Sequence, residues 1–402
     1  MNPYFDRKGF LALTGATSLA AFMAACGGSS STGPQAPADG AGASSGGTPA
    51  APSFDPASEQ DGTIDVFTWA GYDDSPVPDG APWMWSQYQQ GSYGSKSPLK
   101  FTFLDDDTTA LSKVASGYSP DIIHPCGGYI LKWQEAGLIQ ALDTTLLPDW
   151  AGIPESLKKP GLIDGLYYHL PFDVGFTALT YDADAVDFSA VGGEETWKIL
   201  LDDRYRGKMS IFRGPDEVIE IAHLANETSD PINLTIEQIA AAKDTALKIK
   251  DNLRNYWTAQ TETVNDFING NLLVTSTWPD GYWKIKNHPK MKGRNIKYMQ
   301  PVEGRLAWVC GMVLSAATER PGRSLLAMAS TNTPQAGADL TDHFQYASAQ
   351  KEGVAALIKD KSLIEAFGLN DPKLWEPPMA WSQSQVTPYK EYIAAGSEVI
   401  DA

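Results

Sequence analysis

The chain has 402 residues, enough for two lobes that each bury a core. Hydrophobic residues make up 43%, ordinary for a soluble protein, and the net charge of −18 argues against a nucleic-acid partner, because phosphates would be repelled. The acidic balance suits a cationic ligand without requiring one.

Residues 1–25 read as a signal peptide. Arg7 and Lys8 give it a positive start, and Phe10 to Ala25 is an apolar run too short for a good spanning helix. Met23-Ala24-Ala25-Cys26 resembles a bacterial lipoprotein box, in which Cys26 receives the lipid. Arg7-Lys8-Gly9-Phe10-Leu11 resembles a twin-arginine export motif with lysine as its second basic residue, so the export route stays open. A plain secretory signal with an incidental cysteine is the alternative. Residues 26–62 are mostly Gly, Ser, Ala and Pro and are expected to form a flexible tether from the lipidated Cys26. With no second long apolar run, the chain is expected to meet the membrane through that lipid alone.

The first lobe opens at residue 63. Ile64 to Trp69 alternates as a strand and runs into Ala70-Gly71-Tyr72. Trp83 to Tyr88 is read as a helix, Leu99 to Leu104 as a second strand, and Thr108 as the cap of a helix from Thr109 to Ser116. Pro120 to Pro125 is a short buried strand that ends in the loop Cys126-Gly127-Gly128-Tyr129, and a helix from Ile130 closes at Gly137. This traffic predicts an α/β lobe, with ligand contacts at the carboxyl ends of its strands: Trp69, Tyr72, Cys126 and Tyr129.

Leu170 to Tyr181 carries a strand placed to cross into a second lobe, 173–305. There Gly207 to Phe212 is a strand ending at Arg213-Gly214-Pro215, and Asp216-Glu217 opens the helix Val218 to Asn226. Leu234 to Leu253 and Thr263 to Asn269 are helical, and Leu272 to Trp278 is a strand with Pro279 and Asp280 at its end. Lys297 to Leu314 then reads as a strand, a Pro301…Gly304 break and a second extended run bearing Trp308 and Cys310 on one face. It is either a crossover back to lobe one or a buried hairpin with a core tryptophan. Residues 306–402 are expected to complete lobe one and add C-terminal helices; the pattern weakens over Glu319 to Gly337.

From Ile64 to about Leu314 the chain resembles the spermidine/putrescine-binding proteins of bacterial ABC importers. The matching stretches, in order, are Thr68-Trp69-Ala70-Gly71-Tyr72, Pro120 to Pro125, Leu170-Pro171-Phe172 with Gly175 to Leu179, Arg204 to Lys208, Pro301-Val302-Glu303-Gly304 and Trp308. The resemblance implies a two-lobed periplasmic-binding-protein-like fold of type II, with lobes joined by crossover strands. It implies a monomeric, extracytoplasmic receptor, lipid-anchored in the periplasm or at the cell surface, that closes on a small amine and hands it to a membrane permease. By that mapping Trp69, Tyr72, Trp278 and Trp308 form an aromatic wall, Glu217 binds an amine, and Gln383 supplies a late polar contact. Ring faces attract ammonium groups by roughly 0.5–2 kcal/mol.

Several positions depart from that pattern. Cys310 stands where the family has an aspartate two residues beyond the tryptophan, Gly214 replaces a second aspartate, and the expected late tyrosine has no counterpart. Asp173 or Asp280 would have to compensate, unless both are solvated loop carboxylates. Arg213 either grips the carboxylate of a zwitterion, an amino acid or ω-amino acid, or pairs with Asp216 or Glu217. Cys126 and Cys310 either form a disulfide or stay as buried thiols. No enzyme motif is present: the five histidines form no His-Glu-x-x-His helix, and no Gly-x-Ser-x-Gly elbow occurs. No cofactor or metal is expected, since Tyr167-Tyr168 reads as core packing rather than a ferric site. A surface scaffold without hinge motion is the remaining alternative.

Overall fold

The computed structural model describes residues 50–74, 84–104, 106–369, 371–383 and 388–402. The signal peptide, Cys26, most of the tether and Trp83 lie outside the described residues.

One sheet runs through the whole molecule. In lobe one, Ile64–Trp69 pairs in parallel with Leu99–Leu104 on one side and Ile122–Ile123 on the other. Beside Ile122–Ile123 lies Arg305–Ser315, the return strand, which also runs antiparallel along the outgoing strand Leu170–Asp182. The outgoing strand then enters lobe two and pairs with Val274–Thr277, followed by Met209–Phe212 and Leu253–Trp257, these last three parallel to one another. All thirteen residues of the outgoing strand are buried. That explains its nearly unbroken apolar sequence, since a strand covered on both faces has no polar side.

The stretch Lys297 to Leu314 is the crossover and not a hairpin. Ile296–Tyr298 and Arg305–Ser315 each pair with the outgoing strand. Separate cores flank the crossing. In lobe one they gather Val66, Trp85, Phe172 and Leu325. In lobe two they gather Trp197, Ile219, Ile249 and Val274.

Four expectations are corrected. The tether does not extend to Gly62. Arg323, 3% exposed, donates to the carbonyls of Pro56, Glu59 and Gln60, while the Glu59 carboxylate accepts from Gly322 N at 2.6 Å and Arg323 N at 2.9 Å. A buried guanidinium needs acceptors and a helix start needs a cap, and this segment supplies both. The weak stretch after Glu319 holds the helix Pro321–Thr331, started by proline and buried along most of its length. The C-terminal residues do not all return to lobe one. The helix Tyr389–Asp401 buries Tyr392, Ala395 and Val399 in the lobe-two core, and Leu363 and Phe367 pack with Val264, Phe267 and Tyr282. Finally, Asp106, not Thr108, caps the helix Asp107–Ala115, accepting from Thr109 N at 2.8 Å.

Candidate functional site

The two crossing strands form the floor between the lobes. Side chains alternate along a strand, so Asp173, Gly175 and Thr177 share one face. Their register partners on the return strand are Cys310, Trp308 and Leu306. The Trp308 ring lies directly on Gly175: a Cβ there would sit 2.7 Å from Cε2 of the indole. Only glycine permits this approach. One step along the same face, Thr177 Oγ1 donates to Glu217 Oε2 at 3.2 Å. Glu217 is 6% exposed, and among the described residues neither its other oxygen, Oε1, nor Trp308 Nε1 has a hydrogen-bond partner.

Lobe one contributes a buried chain of polar groups. Thr68 Oγ1 lies 2.9 Å from His124 Nδ1, and His124 Nε2 lies 3.1 Å from Asp173 Oδ1. Tyr72 OH donates to Asp173 Oδ2 at 2.8 Å. Burial and then the Asp173 charge push the Tyr72 phenol well above its ordinary range. Asp173 therefore holds lobe one to the outgoing strand with both oxygens engaged, and is neither an open carboxylate facing a ligand nor a solvated loop residue, the two readings the sequence left open. Asp280 is engaged likewise. Its Oδ1 accepts from Gln260 Nε2 at 2.6 Å and Tyr346 OH at 3.0 Å, and its Oδ2 from Lys284 at 2.7 Å.

Tyr346, which sequence reasoning did not single out, also lies against the floor. Its ring meets Trp308 edge-on at 5.0 Å, and Phe344 beside it packs on Tyr72 at 4.7 Å. The only cue was the aromatic pair Phe344-Gln345-Tyr346 following a helix. Trp278 stands half-buried at the end of its strand, its ring 5.3 Å from Trp257 and 5.6 Å from Phe212. Trp69 is half-buried too, packed on the lobe-one cores.

At the start of the helix Pro215–Leu224 several acids converge. Burial, then Asp216, pushes Glu217 up to about 8. Burial also raises Asp216, and burial then Asp216 raises Glu220 well above the carboxylate range. Across from them in lobe one, burial raises Asp107 to about 7, although its carboxylate accepts from Cys126 N at 3.0 Å. Gln383, expected at the ligand, donates its amide to Glu220 at 2.7 Å. Tyr129 reaches lobe two: its hydroxyl is 3.3 Å from that of Tyr389, and Lys132 Nζ lies 4.2 Å and 3.2 Å from the two ring centroids. Burial lowers Lys132 to about 8. Sequence reasoning missed Asp107, Lys132, Asp216, Glu220 and Tyr389, although 216, 217 and 220 share a helix face by spacing.

Cys126 and Cys310 are joined as a disulfide, which ties the Cys126–Tyr129 loop to the floor beside Trp308. Arg213 does not enter the cleft. Phe212 turns its ring toward Trp257 and Trp278, so the next side chain leaves by the opposite face. Its guanidinium is half-exposed and pairs with Asp401 at 3.1 Å. Of the two readings the sequence left open, a grip on a ligand carboxylate or a pair with Asp216 or Glu217, the structure shows neither: the partner is Asp401.

Residues 100–366, more than half of the chain, match the family described as bacterial extracellular solute-binding proteins. The chain belongs to that family. Among its relatives, the putrescine-binding periplasmic protein PotF of Escherichia coli K12 is 25% identical over 333 residues, 78% of this chain and 83% of that protein. A putative spermidine/putrescine ABC transporter protein from Listeria monocytogenes superposes with a TM-score of 0.65 at 17% identity, over 84% of this chain and 98% of that one. The spermidine/putrescine ABC transporter substrate-binding protein PotD from Streptococcus pneumoniae gives 0.64 at 16%, over 84% and 98%. These likenesses support a two-lobed solute-binding protein of type II.

Proposed function

We propose that this solute-binding protein captures a small amine of the polyamine kind between its lobes and delivers it to an ABC importer by hinge closure. The observation that carries this reading is a run of shielded acids: Asp107 from lobe one and the half-buried Asp216 from lobe two interact with each other and with Lys132, and Asp216 in turn acts on the buried Glu217 and Glu220. Closing such a cleft without a cation forces the acids to hold protons. An incoming ammonium supplies the missing charge, and the Trp308 and Trp278 faces attract it further. The putrescine and spermidine binders among the relatives agree with this chemistry.

Hinge motion is expected where the outgoing strand passes Asp173–Thr177 and the return strand passes Arg305–Trp308. Outside the membrane the protein is held by lipid on Cys26 and meets the permease as a monomer; it binds its solute and performs no chemistry on it. A zwitterion held by Arg213 has lost its support, because that guanidinium pairs with Asp401.

The test is thermal unfolding of the mature protein against putrescine, spermidine, amino alcohols, ω-amino acids and common amino acids. A ligand at about 100 times its dissociation constant adds roughly 2.7 kcal/mol. Stabilisation by amines, weakened in both Trp308→Ala and Trp278→Ala, is expected. If no amine stabilises the protein, or if both variants bind as tightly as the parent, the reading is withdrawn.

A further inference from the structure

Two buried polar atoms on the cleft floor have no partner among the described residues: Glu217 Oε1, an acceptor once ionised, and Trp308 Nε1, which can only donate. They belong to the same face. Trp308 lies on Gly175, with Cε2, the atom bonded to Nε1, close above that residue, and Glu217 is held by Thr177, two residues further along the strand. Two residues of strand span on the order of 7 Å, so one short molecule can reach both.

A protonated polyamine carries N–H donors alone. It would satisfy Glu217 and leave the indole N–H buried without an acceptor, a loss of roughly tenfold or more in affinity. The far side of the indole offers a second ammonium little. Cys310, where the family resemblance expects a carboxylate, is closed in the disulfide. Asp173 opposite it is engaged by Tyr72 and His124, and Asp280 by Lys284, Gln260 and Tyr346. A ligand carboxylate fares no better, since Arg213 faces away and pairs with Asp401.

We infer that the solute is a short primary amine carrying a neutral acceptor oxygen, such as an amino alcohol or amino amide, with its ammonium on Glu217 and its oxygen on Trp308 Nε1. This rests on the amine-binding reading, keeps its ammonium on an acidic site, and replaces the polyamine's second ammonium with a neutral oxygen. Trp308 thus acts as a hydrogen-bond donor that selects the solute, in addition to being a ring on which it lies.

Titration calorimetry of the mature protein with 4-aminobutan-1-ol, putrescine, n-butylamine and 4-aminobutyrate separates the cases at one chain length. The amino alcohol should bind about tenfold tighter than n-butylamine or putrescine. Trp308→Phe keeps a ring and removes the N–H. It should erase the advantage of the amino alcohol over n-butylamine, so that the ratio of the two affinities falls from about tenfold to near one, with the unfolding temperature confirming a folded variant. Tighter binding of putrescine or 4-aminobutyrate than of the amino alcohol overturns this inference and keeps the amine reading. An equal loss for both monoamines in Trp308→Phe also overturns it. If none of the four binds, both readings fall.

Discussion

The disulfide allows a magnitude to be worked out from the chain alone. Cys126 and Cys310 are 184 residues apart, and the segment between them contains the chain's first passage through lobe two. Opening a closed loop of that size returns chain entropy to the unfolded state worth about 5 kcal/mol in the loop-closure description. For roughly 350 folded residues the unfolding entropy at the midpoint is large, so that free energy corresponds to a fall in Tm of roughly 7 °C. Cys126→Ala with Cys310→Ala should show this fall by differential scanning calorimetry, and so should the parent after reduction, with the double variant indifferent to reductant. The loop Cys126–Tyr129 should loosen as well, weakening the support that Cys126 N gives Asp107. If the parent, shown by mass to be fully reduced, unfolds at its oxidised temperature, or if both thiols alkylate in the untreated native protein, the reasoning fails.

Gly175→Ala should lift the Trp308 ring off the floor, at about 1–3 kcal/mol of stability, and lower solute affinity roughly tenfold; unchanged affinity would mean the solute does not rest on that ring. Glu217 is held at about 8 by burial, above its unfolded value, so the stability it contributes is present below the unfolded value and is lost as pH rises through 8, by about 1.4 kcal/mol per pH unit in that window. Glu217→Gln should make the fall in unfolding free energy of the ligand-free protein between pH 5 and 8 shallower, with Asp107, Asp216 and Glu220 supplying what slope remains, and parallel profiles for parent and variant would refute this. The same sign makes an amine displace a proton from Glu217, so affinity should climb with pH toward 8, which calorimetry in buffers of different ionisation enthalpy reads directly. Arg323→Ala should cost about 2–4 kcal/mol and open residues 54–62 to limited proteolysis, because their carbonyls lose a buried donor; an unchanged digestion pattern would show that the segment is held otherwise.

The elements most legible in sequence are those whose pattern is local. Ile64–Trp69 and Leu99–Leu104 alternate, and their bounds match the expectation. The helix Pro321–Thr331 was hidden because its small and polar residues read as a loop, and its polar side, Arg323, Ser324, Ser330 and Thr331, is itself buried instead of facing solvent. The docked residues 54–62 were hidden because their acceptor set matters only to an arginine more than 260 positions away. In the site, Trp308, Glu217 and the two cysteines could be singled out from strand-end position and from resemblance. Partner choice could not. Tyr72 finds Asp173 across 101 positions and Tyr346 finds Asp280 across 66, and nothing local marks either pairing. Arg213 misled for a related reason: a strand end shows which residues alternate but not which of its faces meets the cleft.

The order of strands sets a timetable for the nascent chain. The return strand sits between Ile122–Ile123 and the outgoing strand, yet it is synthesised after nearly all of lobe two. Until residues 305–315 emerge, the early strands of lobe one present an open edge, a template for unwanted pairing. Lobe two waits longer, since Tyr392 and Val399 of its core lie in the last helix. Neither half can be completed from its own contiguous stretch, so a chain truncated before the return strand would leave both halves exposed together.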